Sequence, residues 1–316
     1  MFSKRLNSKK SRVAIICSTI LIGASAVFSG VGPATSATRA DIDYDFFTAL
    51  GWTPLAGSLP NLACRDGSYQ RAVDSGIKLG VYNAAPYMYT ENGKLTGIDY
   101  DINIAVLKYI GIKKITNVML QWPAMIPALV SKRIDVIAGD IHENPGRLKT
   151  IAFTTPAWWY GTVLGVTKDN PKNVKTWDDL QKSGVKVGAI NGSYTAEFLA
   201  KLTPKVALTV FESAETEFQG LLAQKVDVLV EDGPKIGAFN IANPKNTIKV
   251  LSTGTNPPPE FQDGDAKFAM RPADCTLIGA YSRALAELRD HGIVTAILSK
   301  YGLGDGDNLF MPAYKP

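Results

Sequence analysis

Ile134-Asp-Val-Ile-Ala-Gly-Asp140 and Val226-Asp-Val-Leu-Val-Glu-Asp232 are near-copies of one short phrase, and their reading decides the fold. Each is an apolar run with the length of a buried strand, and each ends in an aspartate. Strands of open α/β sheets direct their carboxyl ends at the ligand crevice, so Asp140 and Asp232 could both project into a cleft between two matched lobes. Chance recurrence of Asp-Val before an apolar pair is the alternative, and the surroundings of each copy have to separate the two readings.

Working outward from the first copy, the pattern predicts a strand over 77–81, a helix over 99–110 ending at Gly111, a strand over 115–120 and a helix over 124–131. Around the second copy it predicts a strand over 185–190, a helix over 195–202, a strand over 207–211, a helix over 214–224 and a strand over 226–230. The repeat is therefore one of lobes with the same strand and helix order, as an α/β chain requires. Ala157-Trp-Trp-Tyr-Gly-Thr-Val-Leu-Gly-Val-Thr-Lys168 reads as an extended crossing between lobes, with Trp158 and Trp159 supporting hinge and core. A second extended passage over 268–271 precedes an amphipathic helix over 276–289 that has no third lobe to join. The chain is thus expected to leave lobe one (75–165), build lobe two (166–254) and return to lobe one (255–316), with the two crossings forming a hinge.

The N-terminus reads as a separate device. Lys4, Arg5, Lys9, Lys10 and Arg12 precede an apolar run from Val13 to Phe28 and a stretch with Ala34, Ala37 and Ala40, the pattern of a secretory signal peptide over 1–37. Those five basic residues match the net charge of +5 of the whole chain, so the remainder is close to neutral and a nucleic-acid or anionic-membrane partner loses its support. Export permits a disulfide, and Cys64 and Cys275 remain once the signal is removed. Paired, they would tie an N-terminal extension (38–74) to the body and close a loop for which the chain-entropy model gives on the order of 5 kcal/mol. There is no CxxC for redox work and, with His142 and His291 the whole histidine complement, no metal-ligand spacing; no cofactor is expected. His291, in Arg-Asp-His-Gly, is placed at a helix end against the terminal carbonyls.

Gly76-Ile-Lys-Leu-Gly-Val-Tyr-Asn-Ala-Ala-Pro-Tyr87, Asn92-Gly-Lys-Leu-Thr-Gly-Ile-Asp-Tyr-Asp-Ile102, Trp122-Pro-Ala-Met-Ile-Pro-Ala-Leu129, Pro145-Gly-Arg147, Phe153-Thr-Thr-Pro156, Lys186-Val-Gly-Ala-Ile-Asn-Gly-Ser-Tyr-Thr195 and Glu231-Asp-Gly-Pro234 occur in an order that resembles the family 3 extracellular solute-binding proteins. These are polar amino-acid receptors of ABC importers, and the resemblance spans about residues 75–303. It implies a two-lobed periplasmic-binding-protein fold, an amino acid or similar small zwitterion as ligand, and a membrane permease as partner. The signal-peptide pattern implies a soluble, exported protein, expected to be a monomer.

The resemblance places the ligand's α-carboxylate on Arg147, whose planar donors can engage both oxygens, with an ordinary ion pair as the alternative. It places the α-ammonium on Asp232, a carboxylate that would otherwise be buried without a partner; a plain helix N-cap is the alternative there. Ser193 and Tyr194 belong to the turn that opens a helix onto the carboxylate, although capping alone would explain the side chains of Ser193 and Thr195. Trp122 matches an aromatic that packs on the ligand side chain, or else is a core residue. Tyr82 stands two residues after Gly80, where members selective for basic or amide side chains usually carry an aspartate. Asp140 could add a second anchor for the ammonium, bind a cationic side chain or point away, and His142 could contact the ligand or a neighbouring carbonyl.

An enzyme is the other reading, because periplasmic cyclohexadienyl and arogenate dehydratases resemble these receptors. Their catalytic glutamate falls three residues after the equivalent of Asp232, and here that position is Lys235. Glu231 and His142 would be left to supply acid and base. A sensory domain feeding a membrane receptor is disfavoured by the lack of a C-terminal span before Pro316.

Overall fold

The computed structural model describes residues 64–251 and 264–303, all within one compact unit, Pro60–Pro316. The signal peptide, residues 38–63 of the extension, and the 252–263 and 304–316 stretches lie outside the described residues.

Two open five-stranded sheets carry the architecture. In the first, β1 (Ile77–Val81) lies between β4 (Ile115–Met119) and β5 (Val136–Ile137), all parallel. Ile77, Leu79 and Val81 are buried on one face of β1, while on the other Gly80 is buried and Lys78 exposed. A small hairpin, β2 (Tyr89–Glu91) and β3 (Lys94–Thr96), leads into α2 (Ile98–Tyr109), which comes after α1 (Ser68–Ser75) in the chain. Helix α2 buries Ile98, Ile102 and Val106, a four-residue spacing that turns one apolar stripe to the sheet. Helix α3 (Met125–Val130) then precedes β5.

The second sheet repeats the plan: β9 (Lys186–Ile190) lies between β10 (Ala207–Phe211) and β11 (Val228–Asp232), again parallel. Helix α4 (Tyr194–Leu199) separates β9 from β10, α5 (Ala214–Leu222) separates β10 from β11, and α6 (Gly233–Ala242) succeeds β11. Both copies of the phrase therefore supply the middle strand of their five-stranded sheet, β5 and β11. Each sheet is completed by antiparallel strands: β8 (Thr162–Thr167) and β12 (Ile248–Leu251) in the second, β14 (Ala269–Met270) and β6 (Ala152–Phe153) in the first.

Strand β14 comes after the whole second sheet in sequence yet pairs between β5 and β6 of the first, so the chain returns to the first sheet. The outgoing and returning passages pair with each other: β7 (Trp158–Trp159) and β13 (Asp265–Ala266) form a two-stranded antiparallel ribbon. Trp158 is fully buried and donates from Nε1 to Asp99 Oδ1 at 2.9 Å, tying this ribbon to α2. Helix α7 (Cys275–Asp290) buries Leu277, Tyr281, Ala284, Leu285 and Leu288 on one face, and α8 (Ile293–Lys300) comes next. A Cys64–Cys275 disulfide joins the start of the described chain to the start of α7. Asp66 supports the same junction by accepting from the backbone N–H of Thr276 at 3.1 Å, an N-terminal cap supplied from a distant segment. At the other end of α7, His291 contacts the Glu287 carbonyl through Nδ1 at 2.8 Å, the helix-end role expected for it. Among the described residues no helix is long and apolar enough to cross a membrane.

Candidate functional site

A cavity of about 230 Å³ opens between the carboxyl ends of the two sheets, and Tyr82, Trp122, Asp140, His142, Arg147, Ser193, Tyr194 and Asp232 all line it. These are the residues expected from the sequence. Two glycines make the approach possible. A Cβ on Gly139 would collide with the ring of Tyr82, and Gly192 turns the chain at φ +69° ahead of α4.

The first-lobe wall is built on carboxylates held from behind. Asp99, fully buried, accepts from the backbone N–H of Asp140 through Oδ2 at 3.0 Å, fixing the Asp140 main chain. The hydroxyl of Tyr82 donates to Asp140 Oδ1 at 2.6 Å. Burial pushes the Asp140 carboxyl up to about 6; Asp232 pushes the same way, while Lys235 and His142 oppose it. Asp99 is raised well above the ordinary range by burial and then by Asp140. His142 Nε2 lies 2.6 Å from the hydroxyl of Tyr160, so its nearest polar partner is a side chain rather than a carbonyl. Trp122 is half-buried, meets Tyr82 edge-on at 5.2 Å, and reaches across the cleft to donate from Nε1 to Gly192 O at 3.2 Å.

Arg147 is 5 % exposed, and its ion-pair partner is Glu197, whose side chain is 36 % exposed. Its Nη1 donates to His142 O at 2.8 Å, and its Nη2 donates to Gly192 O and to Glu197 Oε1, each at 3.0 Å. Asn144 donates to the other oxygen of Glu197 at 2.7 Å. Loop residues of the first lobe thus grasp the Gly192 turn and α4 of the second. Ser193 caps α4 by accepting from Ala196 N at 3.1 Å, so its hydroxyl is engaged in the helix start.

The second-lobe wall centres on Asp232. It holds the N-cap position of α6 but makes no side-chain capping bond. Lys235 takes it instead: Nζ lies 2.8 Å from Asp232 Oδ2 and 2.9 Å from Glu231 Oε1, and 5.3 Å over the ring of Tyr87 from the other lobe. Burial works against the Lys235 charge, but Asp232, Glu231 and Asp140 outweigh it and hold the ammonium pKa well above the ordinary lysine value. Glu231 is pushed up by burial, with Lys235 opposing. Sequence reasoning placed Lys235 only as a departure from an enzyme pattern. Its spacing of three and four residues from two acids, at a helix start after Pro234, was the available signal. Asp99, Tyr160 and Glu197 also shape the site and carry no distinctive local pattern.

The arrangement can therefore hold a small molecule between aromatic faces and charges of both signs contributed by two lobes, with carboxylates in excess. Comparison with known proteins agrees. The sequence profile described as "Bacterial extracellular solute-binding proteins, family 3" matches residues 77–304. The L-cystine-binding protein TcyJ of Escherichia coli (strain K12) is 27 % identical over 212 residues, 67 % of this chain and 76 % of its own length. The ABC transporter arginine-binding protein 1 of the same strain is 24 % identical over 210 residues, 66 % of this chain and 83 % of its own. Among solved structures, the ancestral amino acid-binding protein AncCDT-1, a precursor of cyclohexadienyl dehydratase, superposes with a TM-score of 0.65 at 25 % identity, covering 74 % of this chain and 99 % of that one.

Proposed function

The chain belongs to the bacterial extracellular solute-binding proteins of family 3, and from that premise we propose an exported receptor that encloses an amino acid or similar small zwitterion and hands it to the permease of an ABC importer. One observation carries the proposal: a single cavity receives a guanidinium and a carboxylate from the first lobe, and carboxylates and an ammonium from the second. Contacts from both lobes exist only when the cleft is closed, so ligand binding favours that state and marks it for the permease. The ribbon of β7 and β13 is the element about which closure would turn.

Within this reading Arg147 receives the ligand carboxylate, Asp232 and Asp140 form the anionic side of the site toward a ligand cation, and Tyr82, Trp122, His142 and Tyr194 enclose the remainder, with Ser193 fixing the α4 turn. The limits proposed are a signal peptide over 1–37, an extension over 38–74, lobe one over 75–165 and 255–316, and lobe two over 166–254. The mature protein is placed in the periplasm as a monomer, which light scattering of the purified protein checks.

A thermal-shift screen of the purified protein against the common amino acids, with native mass spectrometry of any copurified ligand, tests the reading. At least one amino acid should raise the melting temperature, and Arg147→Ala should abolish that shift; a shift that survives in Arg147→Ala removes the carboxylate assignment. The dehydratase alternative draws support from the likeness to AncCDT-1 and from the burial of Glu231 in the cleft wall. Against it, Glu231 is held by the Lys235 ammonium at 2.9 Å, and Lys235 stands where those enzymes carry their catalytic glutamate. Turnover of prephenate or arogenate that disappears in Glu231→Gln would establish that alternative.

A further inference from the structure

We infer that Lys235 is a specificity-determining residue of the cleft: its ammonium holds the place on Asp232 that a ligand ammonium would take, so the site tolerates carboxylate ligands whose α-amine is absent. The inference rests on the receptor reading above. Three contacts fix the side chain. Nζ is 2.8 Å from Asp232 Oδ2, 2.9 Å from Glu231 Oε1 and 5.3 Å over the Tyr87 ring. The side chain is 11 % exposed, and those of Glu231 and Asp232 are 5 % and 9 % exposed.

A carboxylate buried to that extent needs a cation, and a ligand ammonium that supplies it gains most of its affinity from doing so. Here the chain supplies the cation from the first turn of the helix that Asp232 opens. The bond is intramolecular and largely buried, so a ligand amine must compete with a partner already in position. Consistent with that pairing, Asp232 forgoes the capping bond its position offers.

The opposite anchor behaves differently. Arg147 also has an internal partner, but the Glu197 side chain is 36 % exposed, and a half-solvated ion pair of this kind is weak. A ligand carboxylate can displace Glu197 into solvent, whereas a ligand amine cannot displace Lys235 without burying a bare ammonium. The site therefore demands the acid and is lenient toward the amine.

Calorimetric titration with L-arginine and L-glutamine, each beside its desamino carboxylate, decides the matter on the wild type, Lys235→Gln and Lys235→Arg. For the amino acid that binds, the wild type should take the desamino partner within about tenfold of the same affinity, and Lys235→Gln should widen that gap to about a hundredfold or more. Lys235→Arg, which keeps a cation on Asp232, should retain the narrow gap. Should Lys235→Gln fail to fold, the comparison of wild type with Lys235→Arg stands alone: narrow gaps in both support the inference, and wide gaps overturn it. A wild-type gap beyond a hundredfold, or one that Lys235→Gln leaves unchanged, overturns the inference while leaving the receptor reading intact. If no member of either pair binds any of the three proteins and no amino acid shifts their melting temperatures, both fall together.

Discussion

Asp232 ends a five-residue strand and faces an ammonium at 2.8 Å, whereas Asp140 lies beyond a two-residue strand and accepts from the hydroxyl of Tyr82 at 2.6 Å. The residues that close the two copies of the phrase are the same, so the difference comes from the chain immediately beyond each aspartate. In the second copy the antiparallel ladder with β8 continues through Asp232, opposite Thr162, and the chain passes straight into α6. The first turn of that helix carries Lys235 back to the aspartate. In the first copy pairing with β14 stops at Ile137, the chain bends at Gly139 beneath the ring of Tyr82, and no helix begins at Asp140. The residue three beyond Asp140 is Glu143, whose partner is Lys267 at 2.9 Å. A strand-ending aspartate thus becomes an ion-paired anchor or a proton-holding acid according to the geometry of the next turn.

The largest expected effect tests the ion-paired copy. Lys235→Met leaves Glu231 and Asp232, 4 % and 6 % exposed, without a cation. Removing one partner of such a buried group costs about 3–5 kcal/mol, so urea unfolding at neutral pH should show a loss of that order. The added double variant Glu231→Gln with Lys235→Met should recover part of it, because one of the stranded charges is gone. A loss below about 1 kcal/mol would mean that water already screens the pair, and the contrast between the two copies would collapse.

The proton-holding copy has a pH signature with a definite sign. The folded-state pKa of Asp140 is about 6, above the ordinary value of 3.8, so the folded form keeps a proton that the unfolded chain has already released. Its contribution is fully present below about pH 4 and is lost as pH rises through about 6, at most roughly 3 kcal/mol for a shift of this size. Asp140→Asn removes the titration while keeping an acceptor for Tyr82. The difference in unfolding free energy between variant and wild type should therefore grow in the variant's favour from pH 4 to pH 7. Parallel curves across that window would place the proton elsewhere, with Asp99 the first candidate. Coupling between the copies is also testable: Lys235 lowers the Asp140 pKa across the cleft, so Lys235→Met should shift this window upward.

The sequence carried the lobes more clearly than the site. The apolar-rich runs 77–81 and 207–211 coincide with β1 and β10, although only β1 is mostly buried and β10 lies at the edge of its sheet. Helix ends were legible where Gly111 lies past the end of α2 and where Arg289 and His291 close α7. The second phrase was placed two residues early, since periodicity marks apolar residues while the ladder with β8 extends to Asp232. All the residues expected in the cleft do line it, because a resemblance in ordered motifs transfers positions. What it could not transfer is who satisfies whom. Whether Asp232 waits for a ligand or already holds Lys235, and whether Arg147 is open or engaged by Glu197, depends on side chains brought together from 50 residues away in one case and three in the other. Asp99 is a parallel case: on α2 it reads as an ordinary first-turn acid, and only the return of Trp158 and the bend at Asp140 make it a buried acceptor of both.

The smallest expected effect isolates the position three beyond each aspartate. Glu143 is 40 % exposed at its side chain, and Lys267 retains Asp265 at 2.8 Å if Glu143 is lost. Glu143→Gln should therefore change unfolding free energy by no more than about 0.5 kcal/mol, and less at high salt, as for other solvated ion pairs. The corresponding change at Lys235 is expected to be several times larger although the pairing distances are alike, 2.9 Å for Glu143 with Lys267 and 2.8 Å for Lys235 with Asp232. Burial and the second carboxylate on Lys235, Glu231, separate them, so the two variants measured in one buffer show how far enclosure in the cleft strengthens the anchor. Equal effects at the two positions would show that distance, and not enclosure in the cleft, sets the strength of the anchor.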